Sequence, residues 1–294
     1  GGAARRPPHA TQALDAGDVT LAVMIPRGLE ADVVREGRGE VQFVLNGEKG
    51  GAAAVVQAYA LQVVASYGRE LSAGATPAAG PRIDIRTRHR FNAGLNYKHY
   101  MVPGILVSLV TLIGTLLTAQ NIAREKELGT LEQLNVTPIT RAQFIAGKLL
   151  PFWALAMIIL AIGLVVGRLA FGVPMRGSLL LLFASAAIYL VVALALGLFI
   201  STTVETQQQA MFVTFFVMMI YLLMSGLFTP MDSMPRWVRA ASDLTPIKHF
   251  VIVARGILLK GSGVADLSRE LIILTVYAAA MLAVAVARYR KRTA

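Results

Sequence analysis

The sequence predicts an α-helical membrane protein with five visible transmembrane helices and a small α/β domain ahead of them. Three observations lead there. Of 294 residues, 55% are hydrophobic and only 15% charged, against about 25% charged in ordinary soluble domains. The charge is unevenly spread, with 21 of the 45 charged side chains in the first hundred residues. Beyond them lie five charge-free apolar runs, each near the ~20 residues that a helix needs to cross a hydrocarbon core of about 30 Å.

Residues 1–98 form the predicted α/β domain. VTLAVMI (19–25) is a β-rich run closed by Pro26, and LEADVVRE (29–36) suits a short helix. VQFVLN (41–46) alternates Val41, Phe43 and Leu45 against Gln42 and Asn46, the period of a half-buried strand. AAAVVQAYALQVVASYGREL (52–71) is rich in helix formers. IDIRTRHRF (83–91) alternates again, with Ile83 and Ile85 opposite Asp84 and Arg86. The pattern calls for one buried sheet face covered by the long helix.

Residues 99–294 form the predicted membrane domain, with spans at about 101–120, 149–172, 179–203, 210–228 and 270–288. Ala184, Ser185, Ala186, Ala187 and Gly197 would let helices approach closely. Between the last two spans, Pro230, Pro235 and Pro246 break residues 229–262 into short helices. Trp237 among Arg236 and Arg239 suits a headgroup boundary, and His249 reads as an interfacial side chain. Met218, Met219 and Met224 accompany Phe212, Phe215, Phe216 and Tyr221, a soft aromatic surface suited to varied hydrophobic ligands.

Arg288, Arg290, Lys291 and Arg292 follow the last span, and Arg124, Lys126, Arg141 and Lys148 follow the first. The positive-inside tendency puts both sets on the cytoplasmic side and the N-terminal domain outside. No apolar signal core precedes that domain, so a further span upstream is expected to have carried it across.

The stretch between the first two spans, NIAREKELGTLEQLNVTPITRAQFIAGK (121–148), is densely charged. Leu128, Leu131 and Leu134 oppose Arg124, Glu125, Lys126, Glu127 and Glu132, so a short amphipathic helix is expected over 123–135. Gly129 weakens it and Thr137-Pro138 ends it. On amphipathicity alone, a surface helix at the lipid interface is the favoured reading.

Several functions lack their residues. There is no cysteine, hence no disulfide and no thiolate ligand or nucleophile. No G-x-x-x-x-G-K-[ST] loop occurs, and His9, His89, His99 and His249 have no ligand spacing, so no catalytic or metal-binding residue is expected. The charge of +11 sits at span ends more than in a basic domain, which argues against nucleic acid. The charge-free runs within the predicted spans, 101–120, 149–167, 179–201, 210–228 and 271–287, hold no Asp, Glu or His, against an ion-coupled transporter. A membrane anchor whose outer domain binds a partner stays open as the other alternative.

REKELGTLEQLNVTPITRAQFIAGKLLP (124–151) resembles the cytoplasmic loop of ABC type-2 transporter permeases, with its R-E-x-E-x-G-T-x-E-x-L core followed by T-P-x-T-R and G-K. FNAGLNYKHYMVPGIL (91–106) is similar to the start of that family's second span, and SGLFTPMDSMPRWVRAASDLTPIKHFVIVARGILLKG (225–261) to its pair of re-entrant helices. VQFVLNGEKGGAAAVVQAY (41–59) resembles the extracytoplasmic domain of its multidrug and antibiotic efflux branch. The resemblance implies six spans in the intact family, with the first having no counterpart here. It implies a bacterial inner-membrane, multi-pass permease subunit that exports a hydrophobic or amphipathic substrate. It further implies no cofactor on this chain, ATP and Mg on a separate ATPase subunit, and a second permease copy or homologue. A periplasmic adaptor would be a further partner. Carried over by residue, Arg124, Glu125, Lys126, Glu127, Gly129, Thr130 and Glu132 would form the ATPase-coupling contact; the candidate substrate path at Phe212, Phe215, Phe216 and Tyr221 rests on their own soft aromatic character. Lys126 and Leu128 depart from the family pattern.

Overall fold

The computed structural model describes residues 13–14, 19–36, 38–46, 50–72, 82–90, 96–130, 141–228 and 234–288. The chain folds as two compact units, residues 1–100 and 101–294.

In the first unit, strand β1 (Leu21–Met24), helix α1 (Leu29–Glu36), strand β2 (Arg38–Asn46), helix α2 (Gly50–Ser72) and strand β3 (Arg82–Arg90) follow one another. The sheet has the order β1-β2-β3. β1 is antiparallel to β2, with Leu21 opposite Leu45; β3 is parallel to β2, with Val41 opposite Ile85. A parallel pair needs a long crossover, which α2 supplies. Val41, Phe43, Leu45 and Ala53 are buried, and Leu29, Val56, Leu61, Val64, Ile83 and Ile85 pack on them. Period-two alternation thus delivers one apolar face to α2. Asn46 departs from the expected polar face. It is buried because its Nδ2 donates to the carbonyl of Leu14 at 3.1 Å.

Helix α3 (Tyr97–Glu127) is followed in the second unit by α4 (Arg141–Phe171), α5 (Leu179–Thr203), α6 (Gln207–Met224), α7 (Arg236–Ser242), α8 (Pro246–Arg255), a π-helical turn (Gly256–Lys260) and α9 (Ser268–Arg288). Among the described residues, α3, α4, α5, α6 and α9 are the five helices long and apolar enough to cross a membrane. α3 and α4 have 31 residues each, about 46 Å at the helical rise. That exceeds the ~30 Å hydrocarbon core, so each helix projects beyond it.

α5 is the helix around which the others gather. Its N-cap Ser178 accepts from Leu181 N, and Leu182, Ala186, Tyr189, Leu190 and Leu194 are almost wholly buried. α3 meets it along a polar and small-residue seam. The Thr111 and Tyr189 hydroxyls share a hydrogen bond of 2.6 Å, and Thr115 Oγ1 donates to the carbonyl of Ala193 at 3.1 Å. A Cβ on Gly197 would lie 2.5 Å from the Thr115 carbonyl oxygen, so the two backbones touch there. Trp153 of α4 donates to the Ala187 carbonyl at 3.1 Å.

α7 and α8 have 7 and 10 residues, each too short to cross a bilayer. Pro246 starts α8, where a missing N–H costs nothing. Ile247, Phe250, Val251, Val253 and Ala254 then bury α8 in the bundle. Phe250 stacks on Tyr189 with ring centroids 4.4 Å apart and planes 17° from parallel. In the π-helical turn, the Leu258 carbonyl accepts from Arg176 N at 3.2 Å.

Candidate functional site

The charged residues after the first apolar run occupy the end of α3. Arg124 to Glu127 form its last turn, so the helix begun at Tyr97 runs on into the charged segment. This differs from a separate helix beginning near residue 123. After Pro103 no further proline interrupts the backbone ladder before the charged turn. The break comes at Gly129, whose φ of +72° is the left-handed conformation that ends helices and favours glycine. Leu128 N bonds to the Arg124 carbonyl at 3.0 Å and Gly129 N to that of Lys126 at 3.0 Å. Thr130 Oγ1 donates to the Glu125 carbonyl at 3.2 Å. Glu132, and with it the rest of the expected 123–135 helix from residue 131, lies outside the described residues.

The structure therefore brings Arg124, Glu125, Lys126, Glu127, Gly129 and Thr130 together, but it does not turn them all outward. Arg124 and Leu128 are exposed, Leu128 at 64%. Glu125 forms an ion pair with Lys148 of α4. Lys126 Nζ donates to the Ser201 carbonyl and, at 3.1 Å, to that of Val204, both at the end of α5. Glu127 Oε2 accepts from Gln207 N and Nε2 at 3.3 and 3.1 Å, at the start of α6. A cation at a helix C-terminus and a carboxylate at a helix N-terminus both oppose the local dipole. Lys148 and Gln207 were not singled out as site residues in the sequence. Their partners lie 23 and 80 positions away, beyond what periodicity reports.

The aromatic residues of α6 do not share one site. Phe212, Phe215 and Phe216 lie at i, i+3 and i+4, hence on one face, and are exposed at 62%, 57% and 66%. Only Phe215 of these lines a cleft of about 220 Å³ with Ile105, Leu109, Met218, Met219 and Leu222, between α3 and α6. Tyr221, five residues past Phe216, turns to the opposite side. It lines an interior cavity of about 160 Å³ with Thr111, Tyr189 and Tyr277.

Buried His249 pairs with partly buried Glu270. His249, 5% exposed, hydrogen-bonds through Nδ1 to the Glu270 carboxylate and through Nε2 to the Asp243 carbonyl at 2.9 Å. It is thus an interior residue of the bundle, where an interfacial position was expected from its neighbours Lys248 and Phe250. Burial opposes protonation of the ring, but the Glu270 and Asp243 hydrogen bonds with the Glu270 charge outweigh it and hold the pKa above the ordinary 6.5. The Tyr277 ring stands 6.3 Å away. Among the described residues no group of three His, Asp or Glu side chains is placed to hold a metal ion.

The sequence is similar to those of known proteins. The family described as ABC-2 family transporter protein matches residues 6–287. The chain is 31% identical over 289 residues to the probable multidrug ABC transporter permease YbhR of Escherichia coli K12, covering 98% of this chain and 78% of that protein. To the probable multidrug ABC transporter permease YbhS of the same organism it is 31% identical over 251 residues, 85% of this chain and 67% of the other. To its inner membrane transport permease YhhJ it is 26% identical over 282 residues, 95% and 75% of the two chains.

Proposed function

This chain belongs to the ABC-2 family of transporter proteins, and from that premise we propose that it is the membrane permease of an ATP-driven exporter. A separate ATPase subunit powers it, and a second permease, identical or homologous, completes the pathway. The substrate is hydrophobic or amphipathic, in keeping with the multidrug permeases it resembles, and leaves across a bacterial inner membrane.

One observation carries this reading. The chain has no nucleotide-binding loop, yet α3 projects a helix end whose Arg124 and Leu128 face outward while Glu125, Lys126 and Glu127 are engaged by neighbouring helices. An exposed Leu beside an Arg at a rigid helix end suits docking in a partner's groove. A partner that binds two conformations unequally shifts the equilibrium between them, and this helix end is where that difference would be felt.

The test is purification in mild detergent from cells that express the neighbouring genes. The permease retains a chain with a nucleotide-binding loop, and Leu128→Asp with Arg124→Glu releases it while membrane insertion persists. If the unaltered permease retains no ATPase, the proposal fails.

A further inference from the structure

Three consecutive side chains at the end of α3 each hold a different helix. Glu125 takes Lys148 of α4, Lys126 takes the last carbonyls of α5, and Glu127 takes the first amide and the side chain of Gln207 in α6. Successive helical residues turn by about 100°, so one turn fans out toward all three neighbours. Had these side chains served only an outside partner, they would stand free in solvent. Instead Glu127 Oε2 accepts two hydrogen bonds from one residue, and Lys126 Nζ caps two carbonyls.

We propose that Lys126 and Glu127 are positioning residues that tie the end of α3 to the α5–α6 junction, so that a push received at Arg124 and Leu128 moves α5 and α6 together. This rests on the permease reading. The junction has three residues, Val204 to Thr206, between the helix ends at Thr203 and Gln207. It is too short to absorb a displacement. Val204 is itself buried, and Thr206 closes the start of α6 by accepting from Gln209 N at 3.2 Å. Beyond the junction, α5 carries the buried seam against α3, and α6 carries one wall of the cleft beside Phe215. The tie thus joins the receiving end of α3 to a wall of that cleft.

Gln207→Glu sets a second carboxylate against Glu127 without touching Arg124 or Leu128. In reconstituted membranes it keeps the ATPase bound and hydrolysing at the unaltered rate, while substrate moved per ATP falls about tenfold, within the usual range of coupling energies. In separate permease preparations without the ATPase, spin labels on Leu128→Cys and Gln208→Cys, the only two thiols in a chain without cysteine, report a broadened distance when Gln207→Glu is added. Glu127→Gln combined with Gln207→Glu exchanges donor and acceptor and recovers both transport and distance. If Glu127 instead serves the ATPase directly, that exchange recovers nothing, because position 127 has lost its charge, and the inference is overturned. Unchanged transport and distance in Gln207→Glu overturn it too. Should the unaltered chain retain no ATPase, the permease proposal falls, and the label distances alone decide whether the tie exists.

Discussion

His249 and Glu270 join α8 to the first turn of α9 through a hydrogen bond that both residues make inside the bundle. The raised His249 pKa means that the folded state binds its proton more tightly than the unfolded chain does. This contribution to stability is complete below the ordinary value of 6.5 and is lost as pH rises through the folded-state value. Lys248 and Asp243 face the same ring, and their own pair is left intact by the change. Thermal stability in detergent is expected to fall from about pH 6.5 upward, and His249→Gln to flatten that slope. An identical slope in the variant would remove His249 as its source.

Gly197 sets the distance between α3 and α5. The added methyl of Gly197→Ala meets the Thr115 carbonyl oxygen at 2.5 Å and the Thr118 Cβ at 2.9 Å, and backbone cannot swing aside as a side-chain tip can. Overpacking of this kind costs about 1–3 kcal/mol. Gly147 in α4 has nothing within 4 Å of the same position, so Gly147→Ala is expected to be neutral or stabilising by up to ~1 kcal/mol. Paired melting curves check the contrast; equal shifts would contradict it.

Phe250 is wholly buried against Tyr189. Phe250→Ala is expected to cost about 3–5 kcal/mol. Tyr189→Phe keeps the stacked ring and loses only the hydroxyl contact to Thr111, about 1 kcal/mol. Thr111 still donates to the Val107 carbonyl, so no donor is stranded. Denaturation of the two variants side by side measures the ratio.

Of the α6 phenylalanines, only Phe215 lines the cleft. If that cleft receives substrate, Phe215→Ala changes which compounds are exported, whereas Phe212→Ala and Phe216→Ala leave the profile unaltered. A resistance panel across the three variants checks this. Equal effects, or none at Phe215, would exclude the cleft.

The fold was legible where one physical signal dominated. Val41, Phe43 and Leu45 announce a strand because period two matches the pleat, and the apolar runs announce spans because charge is costly in lipid. Asn46 breaks the alternation because its polarity is satisfied by a carbonyl 32 residues away, at Leu14. At the site, the residue types of the α3 end were legible, but not their directions. Nothing local says that Glu127 points to Gln207 and Arg124 to solvent. The mixed neighbours of His249 suggest an interface, and nothing local points from it to Glu270, 21 positions away at the edge of the charge-free run from 271.

The π-helical turn at Gly256–Lys260 makes chain length itself a coded quantity. Such a turn holds one residue more than the α-helical ladder needs. Deleting one residue there would restore the ordinary ladder, rotate α9 out of phase with α8, and withdraw the Leu258 carbonyl from Arg176 N. The same turn lies against Gly177, where a Cβ would come within 2.6 Å of the Ile257 oxygen. Insertions and deletions in the loop at 172–178 and in the turn at 256–260 should therefore occur together among relatives, each compensating the other, while the helices on either side keep their lengths.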